Sequence, residues 1–327
     1  MKMSKKMNVF IIGSGHSGST LLDMLLGGHS CISALGEAHR LYFAVRSKDK
    51  YHHCTCGKHI SDCKFWKSVE KELKRRTNGD EFRGFKSLYI SNPKYKIYFN
   101  NEMKYITPLR YHGKSLGVRF NEMTLIIGSK KLRNLLGWLS KEVRRDAMMA
   151  KHLIFLYDAV RVAQNTPIII DSTKNPGTFK KIYIQNKKNT YFIELIRDGR
   201  AVCNSRMKRE GIDMFDAAKI WKKEQIKRIA SMITIPMSKT IRIYYEKLAS
   251  NPKDTLKNIC NYLEIDFENE MMNFRGQRHN LGGNLMRFKS SKRKIKLDEA
   301  WRGNLSKKEL SIFSKIAGGI NRRYGYY

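Results

Sequence analysis

Four short, mostly apolar runs punctuate the chain: Val9 to Ile12, Pro167 to Ile170, Tyr191 to Ile196 and Thr240 to Tyr244. Runs of this length without strict alternation match strands buried on both faces. Each gives way to a polar turn and then to helix-like spacing. That alternation predicts an α/β fold, a doubly wound central parallel sheet flanked by helices, with ligands held beyond the carboxyl ends of the strands. From Leu139 to Gln164 the spacing predicts a long helix with Met148, Leu153, Leu156 and Val160 on its core face. Residues 78 to 122 instead mix Gly, Pro and Asn breakers with many Tyr and Phe, the composition of an irregular insertion or substrate lid. No repeat or low-complexity linker interrupts the chain, so a single domain over residues 1 to 327 is expected.

The first apolar run ends in a loop. Residues 13 to 20 read Gly-Ser-Gly-His-Ser-Gly-Ser-Thr, and a helical run follows from Thr20 to Leu26. Strand, glycine loop and helix together form a phosphate loop, in which backbone amides close around an anion at the start of a helix. Ser19 stands where a nucleotide triphosphatase needs its lysine. Without that lysine ATP or GTP chemistry is poorly supported, while a smaller, diester-like anion still suits the loop.

Charge widens the choice of partner. The chain carries 64 basic and 29 acidic residues, a net +35, alongside 41% apolar content that favours a globular fold. Such a field suits nucleic acid, an anionic membrane or acidic small molecules; the charge is diffuse, so a general bias towards lysine explains it as well. No apolar run approaches the roughly 20 residues of a membrane helix. The basic start, Met1 to Met7, precedes only five apolar residues before the glycine loop, too few for a signal-peptide core. A cytoplasmic protein, possible association with a membrane surface included, is the expectation, and six cysteines do not make a disulfide scaffold.

A second anion motif follows the third apolar run. There the strand delivers Arg197 to the sheet's edge, Asp198-Gly199 turns the chain, and the next helix carries Ser205 and Arg209 on one face. Guanidinium and hydroxyl suit a separate phosphate. Taken alone, a solvated basic helix face explains the same residues.

Together the two motifs resemble the sulfotransferase family, whose members move a sulfuryl group from 3'-phosphoadenosine 5'-phosphosulfate (PAPS) to a hydroxyl or amine. A lysine-free phosphate loop and an Arg followed eight residues later by a Ser mark that family, and Arg197 with Ser205 has this spacing. Asp171-Ser172-Thr173-Lys174-Asn175-Pro176, Tyr244 to Leu248 with Asn251-Pro252, and a glycine-rich segment before Trp301 look like further landmarks in family order. The likeness covers most of the chain outside residues 64 to 150, and is nearest to the protein-tyrosine sulfotransferases and to bacterial members. It implies a P-loop-like fold, PAPS as co-substrate and no metal for the transfer itself.

By that resemblance Gly15, His16, Ser17, Gly18, Ser19 and Thr20 cradle the phosphosulfate, while Arg197, Ser205 and Arg209 take the 3'-phosphate with Tyr245 nearby. The run His279 to Arg287 resembles a late loop in which Gly282, Gly283, Asn284 and Arg287 close over the donor; Tyr245 as core and Gly282-Gly283 as an ordinary turn are the plainer alternatives. Glu37, in a Gly-Glu pair, is the implied general base, with His39 as its rival, and Lys174 would touch the sulfuryl oxygens. Asp171 and Ser172 are alternatives for holding the acceptor. His16 departs from the family, which more often places Arg or Lys there, and is expected to donate to the leaving phosphate.

Residues 52 to 63 form the one metal-like cluster. Cys54, Cys56 and Cys63 with three nearby histidines could complete a zinc site, although Cys-x-Cys-x6-Cys matches no common finger; a disulfide, or reduced thiols packed on Phe65 and Trp66, are the other readings. Cys31, Cys203 and Cys260 read as single core positions. The acceptor could be an acidic glycan, a membrane-surface lipid, a small alcohol or a peptidyl tyrosine, and Tyr89, Tyr95, Tyr98, Phe99 and Tyr105 could stack on it or form the insertion's own core. Two rival functions are an ATP-dependent kinase, disfavoured by Ser19, and a basic nucleic-acid-binding protein, which leaves the two ordered anion motifs unexplained; no dedicated nucleic-acid partner is expected.

Overall fold

A computed structural model of the chain describes residues 5–76, 84–88, 116–273, 278–288 and 295–327. Strands β1 (Met7–Ile12), β2 (Ile32–Ala34), β3 (Ile168–Asp171), β4 (Thr190–Ile196) and β5 (Thr240–Tyr244) form one sheet in the order β2-β3-β1-β4-β5. Every neighbouring pair is parallel. Around it lie α1 (Ser19–Leu26), α2 (Lys64–Arg76), α3 (Lys141–Gln164), α4 (Pro176–Gln185), α5 (Gly199–Glu210), α6 (Met214–Met232), α7 (Tyr245–Ser250), α8 (Pro252–Tyr262) and α9 (Lys307–Arg323).

The sheet is buried on both faces, which is why its strands read as apolar runs. Phe10, Ile12, Ile169 and Phe192 pack against α2, α3 and α4, whereas Val9, Ile11, Ile168, Ile170 and Ile193 pack against α1, α7 and α8. A third cluster, with Trp221 and Phe313 at its heart, joins α5, α6 and α9. From β1 the chain runs first to the β2–β3 side and later to the β4–β5 side. The crevice at the carboxyl end of β1 is therefore the sheet's switch point, where such folds bind ligands.

All four anticipated strands form, with ends shifted by up to two residues. β2 is the addition: three residues, Ile-Ser-Ala, are too short and too polar for the pattern to register. The long helix begins at Lys141 because the Ser140 hydroxyl accepts from the Val143 amide. Its core face differs at one position, for Met148 is 42% exposed and Met149 is buried instead. Cys203 and Cys260 are core positions as expected, while Cys31 is only half-buried. Most of 78 to 122, with Tyr89, Tyr95, Tyr98, Phe99 and Tyr105, lies outside the described residues. Among the described residues no helix is long and apolar enough to cross a membrane.

Candidate active site

The carboxyl ends of all five strands contribute. After β1, His16 and Gly18 adopt left-handed backbone conformations, at φ 63° and 90°, and the Ser17 hydroxyl donates to the Ser14 carbonyl at 2.8 Å. Alternating handedness of this kind turns successive amides inwards, as an anion cradle requires. Gly18 also caps α1 against the Tyr245 ring, where a Cβ would lie 2.5 Å from the ring's edge. Tyr245 is thus a wall of the loop, and its place at the start of α7 follows from β5 ending one residue earlier.

β4 ends at Ile196, so the next residue, Arg197, projects from the sheet beside that loop. Its guanidinium donates to the His16 carbonyl at 2.8 Å and to the Asp298 carboxylate at 2.9 Å, and lies 4.2 Å over the Tyr245 ring. Ser205, two turns into α5, meets His16 Nδ1 at 3.1 Å, and His16 Nε2 is 4.0 Å from Glu210 Oε1. His16 beside it, with Arg206 adding to the effect, holds the Glu210 carboxyl below its usual range. Arg197 and Ser205 therefore converge on His16, whose ring faces α5. These contacts place His16 between Arg197 and Ser205. Arg209 is exposed on α5, while its neighbour Arg206 is 4% exposed and paired with Glu224 at 2.8 Å. Arg206 Nη2 would lie 3.3 Å from a Cβ on Gly15. Sequence reasoning passed over Arg206, which lies one position beyond Ser205; only burial separates it from the other basic residues of α5.

Glu37 follows β2 by three residues, and Lys174 follows β3 by three. Their side chains meet at 2.6 Å, and the other Glu37 oxygen accepts from Arg40 Nε at 2.5 Å. Burial alone would raise the Glu37 pKa, but Lys174, Arg40 and His39 outweigh it and hold the carboxyl well below the ordinary range. Burial pushes His39 down to about 4, so it is neutral at pH 7, with Nδ1 3.0 Å from the Thr173 hydroxyl. Asp171, 1% exposed, accepts from the Tyr157 hydroxyl at 2.5 Å and from the Thr173 amide at 2.7 Å, and lies 3.5 Å from the Ala38 amide. It ties the Glu37 loop to the Lys174 turn from beneath. Ser172 is also buried, its amide donating to the Gly36 carbonyl at 2.8 Å.

Residues 278 to 288 close the site. Leu281 pairs in parallel with Gly36, its carbonyl accepting from the Glu37 amide at 2.7 Å and its amide donating to the Leu35 carbonyl at 2.8 Å. Gly282 and Gly283 are both left-handed, at φ 64° and 82°. A Cβ on Gly282 would meet Arg40 and Glu37, and one on Gly283 would lie 2.7 Å from the Thr20 hydroxyl, so only glycine permits so close an approach. The Asn284 amide donates to the same hydroxyl at 3.0 Å. The turn at Gly282-Gly283 thus bridges the phosphate loop and the Glu37 loop. Arg287 stands near the end of this loop. It is 4% exposed and donates to the carbonyls of Tyr51, His53 and Asn280, which makes it a brace for the loop.

Beneath this turn Asn280 donates to Asp23 of α1. Burial is the main cause that lifts the Asp23 pKa to about 7, with Asp171 adding to it. A carboxyl raised on folding contributes stability that is whole below its unfolded value and lost as pH climbs through 7. Asp23→Asn is accordingly expected to gain on the order of 2–4 kcal/mol over the wild type between pH 4 and pH 8. Thermal midpoints at the two pH values check this, a constant difference being the contrary result.

The glycine loop has Arg197 and Ser205 at one end and a carboxylate–lysine pair at the other. The model of the sulfotransferase family matches residues 8–269, and the chain belongs to that family. It is similar to two provisionally named protein-tyrosine sulfotransferases, from Caenorhabditis briggsae (27% identity over 101 residues, 29% of this chain and 35% of the relative) and Caenorhabditis elegans (29% over 102 residues, 29% and 38%). The chain spans little more than a third of the length of these curated relatives. Among solved structures it is similar to the sulfotransferase domain from the Synechococcus PCC 7002 olefin synthase, at 16% identity and a TM-score of 0.48, with 96% of each chain covered.

Proposed function

We propose that the chain transfers a sulfuryl group from PAPS to an acceptor hydroxyl by in-line displacement. One observation carries this reading: the phosphate loop is flanked by two chemically different ends, Arg197 and Ser205 meeting at His16, and Glu37 with Lys174 reached through Thr20 and Gly283. A bisphosphorylated donor offers one anion to each end. The 3'-phosphate goes to Arg197, Ser205 and His16, replacing the Asp298 carboxylate that now pairs with Arg197 from a half-exposed position. The phosphosulfate lies along the amides of residues 15 to 20, with the Ser19 and Thr20 hydroxyls facing it.

Glu37 takes the acceptor's proton as its oxygen attacks sulfur, and the bond from sulfur to the phosphate oxygen breaks. A carboxylate held so far below its normal range is a weak base, and Lys174 is a main reason. When a donor is bound, its sulfuryl oxygens compete for the Lys174 ammonium. Loss of that partner raises the proton affinity of Glu37, so the base gains strength only once the reaction can proceed. Backbone dipoles and Lys174 take up the charge that develops on the transferring group and the leaving phosphate. The net +35 suits an acidic acceptor, such as a glycan or lipid head group, better than a neutral one.

Incubation with sulfur-labelled PAPS and a panel of tyrosyl peptides, glycans, lipid head groups and alcohols tests the proposal. Label is expected on at least one class and absent when γ-labelled ATP and magnesium replace PAPS; phosphorylated product with ATP and no transfer from PAPS would establish a kinase.

A further inference from the structure

The cysteine segment, which sequence spacing left undecided, meets a fourth ligand from far along the chain. Cys54, Cys56, Cys63 and His279 bring three sulfurs and one imidazole nitrogen within 4.8 Å of one another. Cys63 Sγ lies 3.6 Å from Cys54 Sγ and 3.7 Å from Cys56 Sγ, and His279 Nδ1 lies 3.4 Å from Cys54 Sγ and 3.3 Å from Cys63 Sγ. A tetrahedral zinc ion with Zn–S of about 2.3 Å and Zn–N of about 2.0–2.1 Å places sulfurs about 3.8 Å apart and sulfur and nitrogen about 3.6 Å apart. The four edges given agree to within about 0.3 Å, and the other two lie within 4.8 Å. They are far too long for a disulfide, and all three cysteines are free.

The surroundings are built for the same geometry. Gly57, at φ 85°, turns the chain directly after Cys56, its amide donating to the Cys54 carbonyl at 2.8 Å while the Cys54 amide donates to the Lys58 carbonyl at 3.0 Å. Cys63 precedes α2 by one residue and is fully buried, as is Cys54. Phe65 stacks on the His279 ring at 4.8 Å and 14°, fixing the direction of Nδ1. Among themselves the three thiols and the imidazole make only weak S–H hydrogen bonds, whereas a soft divalent cation uses all four ligand atoms at once.

We propose that Cys54, Cys56, Cys63 and His279 bind a structural zinc ion that fastens residues 54–63 to the loop closing the active site. His279 is followed by Asn280, whose carbonyl accepts from the Thr55 amide and hydroxyl, and by Leu281, which pairs beside Glu37. The ion takes no part in the transfer, and its presence does not depend on the donor or acceptor proposed above. It locks the strand that carries Gly282 and Gly283 at their close approach to Glu37 and Thr20, where the hydrogen bonds alone span a short segment.

The test uses the full chain, free of any histidine tag, purified without chelator and offered one equivalent of zinc. Mass spectrometry of the metal is expected to find about one zinc per chain after dialysis, and His279→Ala to lose most of it. Replacement by cobalt(II) should give the intense visible bands of a tetrahedral site together with thiolate-to-metal charge transfer. His279→Cys should retain the metal with its spectrum shifted towards four-thiolate coordination. If either His279 variant fails to fold, the wild-type stoichiometry and cobalt spectrum still decide. Less than about 0.1 zinc per chain after loading, or a weak octahedral cobalt spectrum, overturns the proposal.

Discussion

Glu37→Gln is expected to lower kcat/KM by about 10²- to 10⁴-fold, the range for removal of a positioned general base, with little change in donor affinity. Gln keeps the shape, and its single carbonyl oxygen can still accept from Lys174 or from Arg40 but not from both, while it cannot take a proton. The rival is His39, which is neutral at pH 7 and on the same loop. His39→Ala should cost less than about tenfold, because its ring is engaged with Thr173 and it is Glu37 that Lys174 contacts. The pH profile alone cannot separate the two. Glu37 is held well below the ordinary carboxylate range and burial puts His39 at about 4, so neither creates an acid limb near neutrality in the free enzyme. Parallel kinetics of the two variants check the assignment, and a larger loss from His39→Ala would exchange their roles.

Arg197→Ala is expected to weaken 3',5'-adenosine bisphosphate by about 30- to 1000-fold, the range for truncating one partner of a desolvated charge pair. AMP, which lacks the 3'-phosphate, should lose less than about threefold. Part of the effect could come through the loop, since Arg197 also holds the His16 carbonyl and stacks on Tyr245. Arg197→Lys separates the contributions: it keeps the charge and loses the planar fork, so an intermediate loss confined to the bisphosphate is the expected pattern. Ser205→Ala should move in the same direction by a smaller amount, since it removes one hydroxyl. Titration of each variant with both nucleotides measures the difference.

The sheet was legible because its strands are buried on both faces and so write themselves as apolar runs. β2 escaped notice since three residues cannot establish a period. The phosphate loop and the Arg197–Ser205 pair were legible because short-range motifs carry their geometry with them. Partnerships across the sheet were not: nothing in the spacing says that Lys174 meets Glu37, or that Leu281 pairs with Gly36, over more than 100 residues of separation. Arg287 shows the same gap in reverse. Its place in a glycine-rich late loop suggested an anion ligand, yet both of its terminal nitrogens donate to backbone carbonyls. His279 was the missing partner of the cysteine cluster for the same reason, more than 200 residues from Cys63. In each case the sequence named the chemistry and only the fold named its partner.

The claim at the centre of this account is that Arg197 and Ser205 bind a 3'-phosphate while the glycine loop binds the 5' side of the same nucleotide. Thermal unfolding with 3',5'-adenosine bisphosphate and with AMP, at equal concentrations, tests it directly. A ligand at 100 times its dissociation constant stabilises by about 2.7 kcal/mol, so the bisphosphate should raise the midpoint by several degrees where AMP barely shifts it. Equal shifts from the two nucleotides would contradict the account.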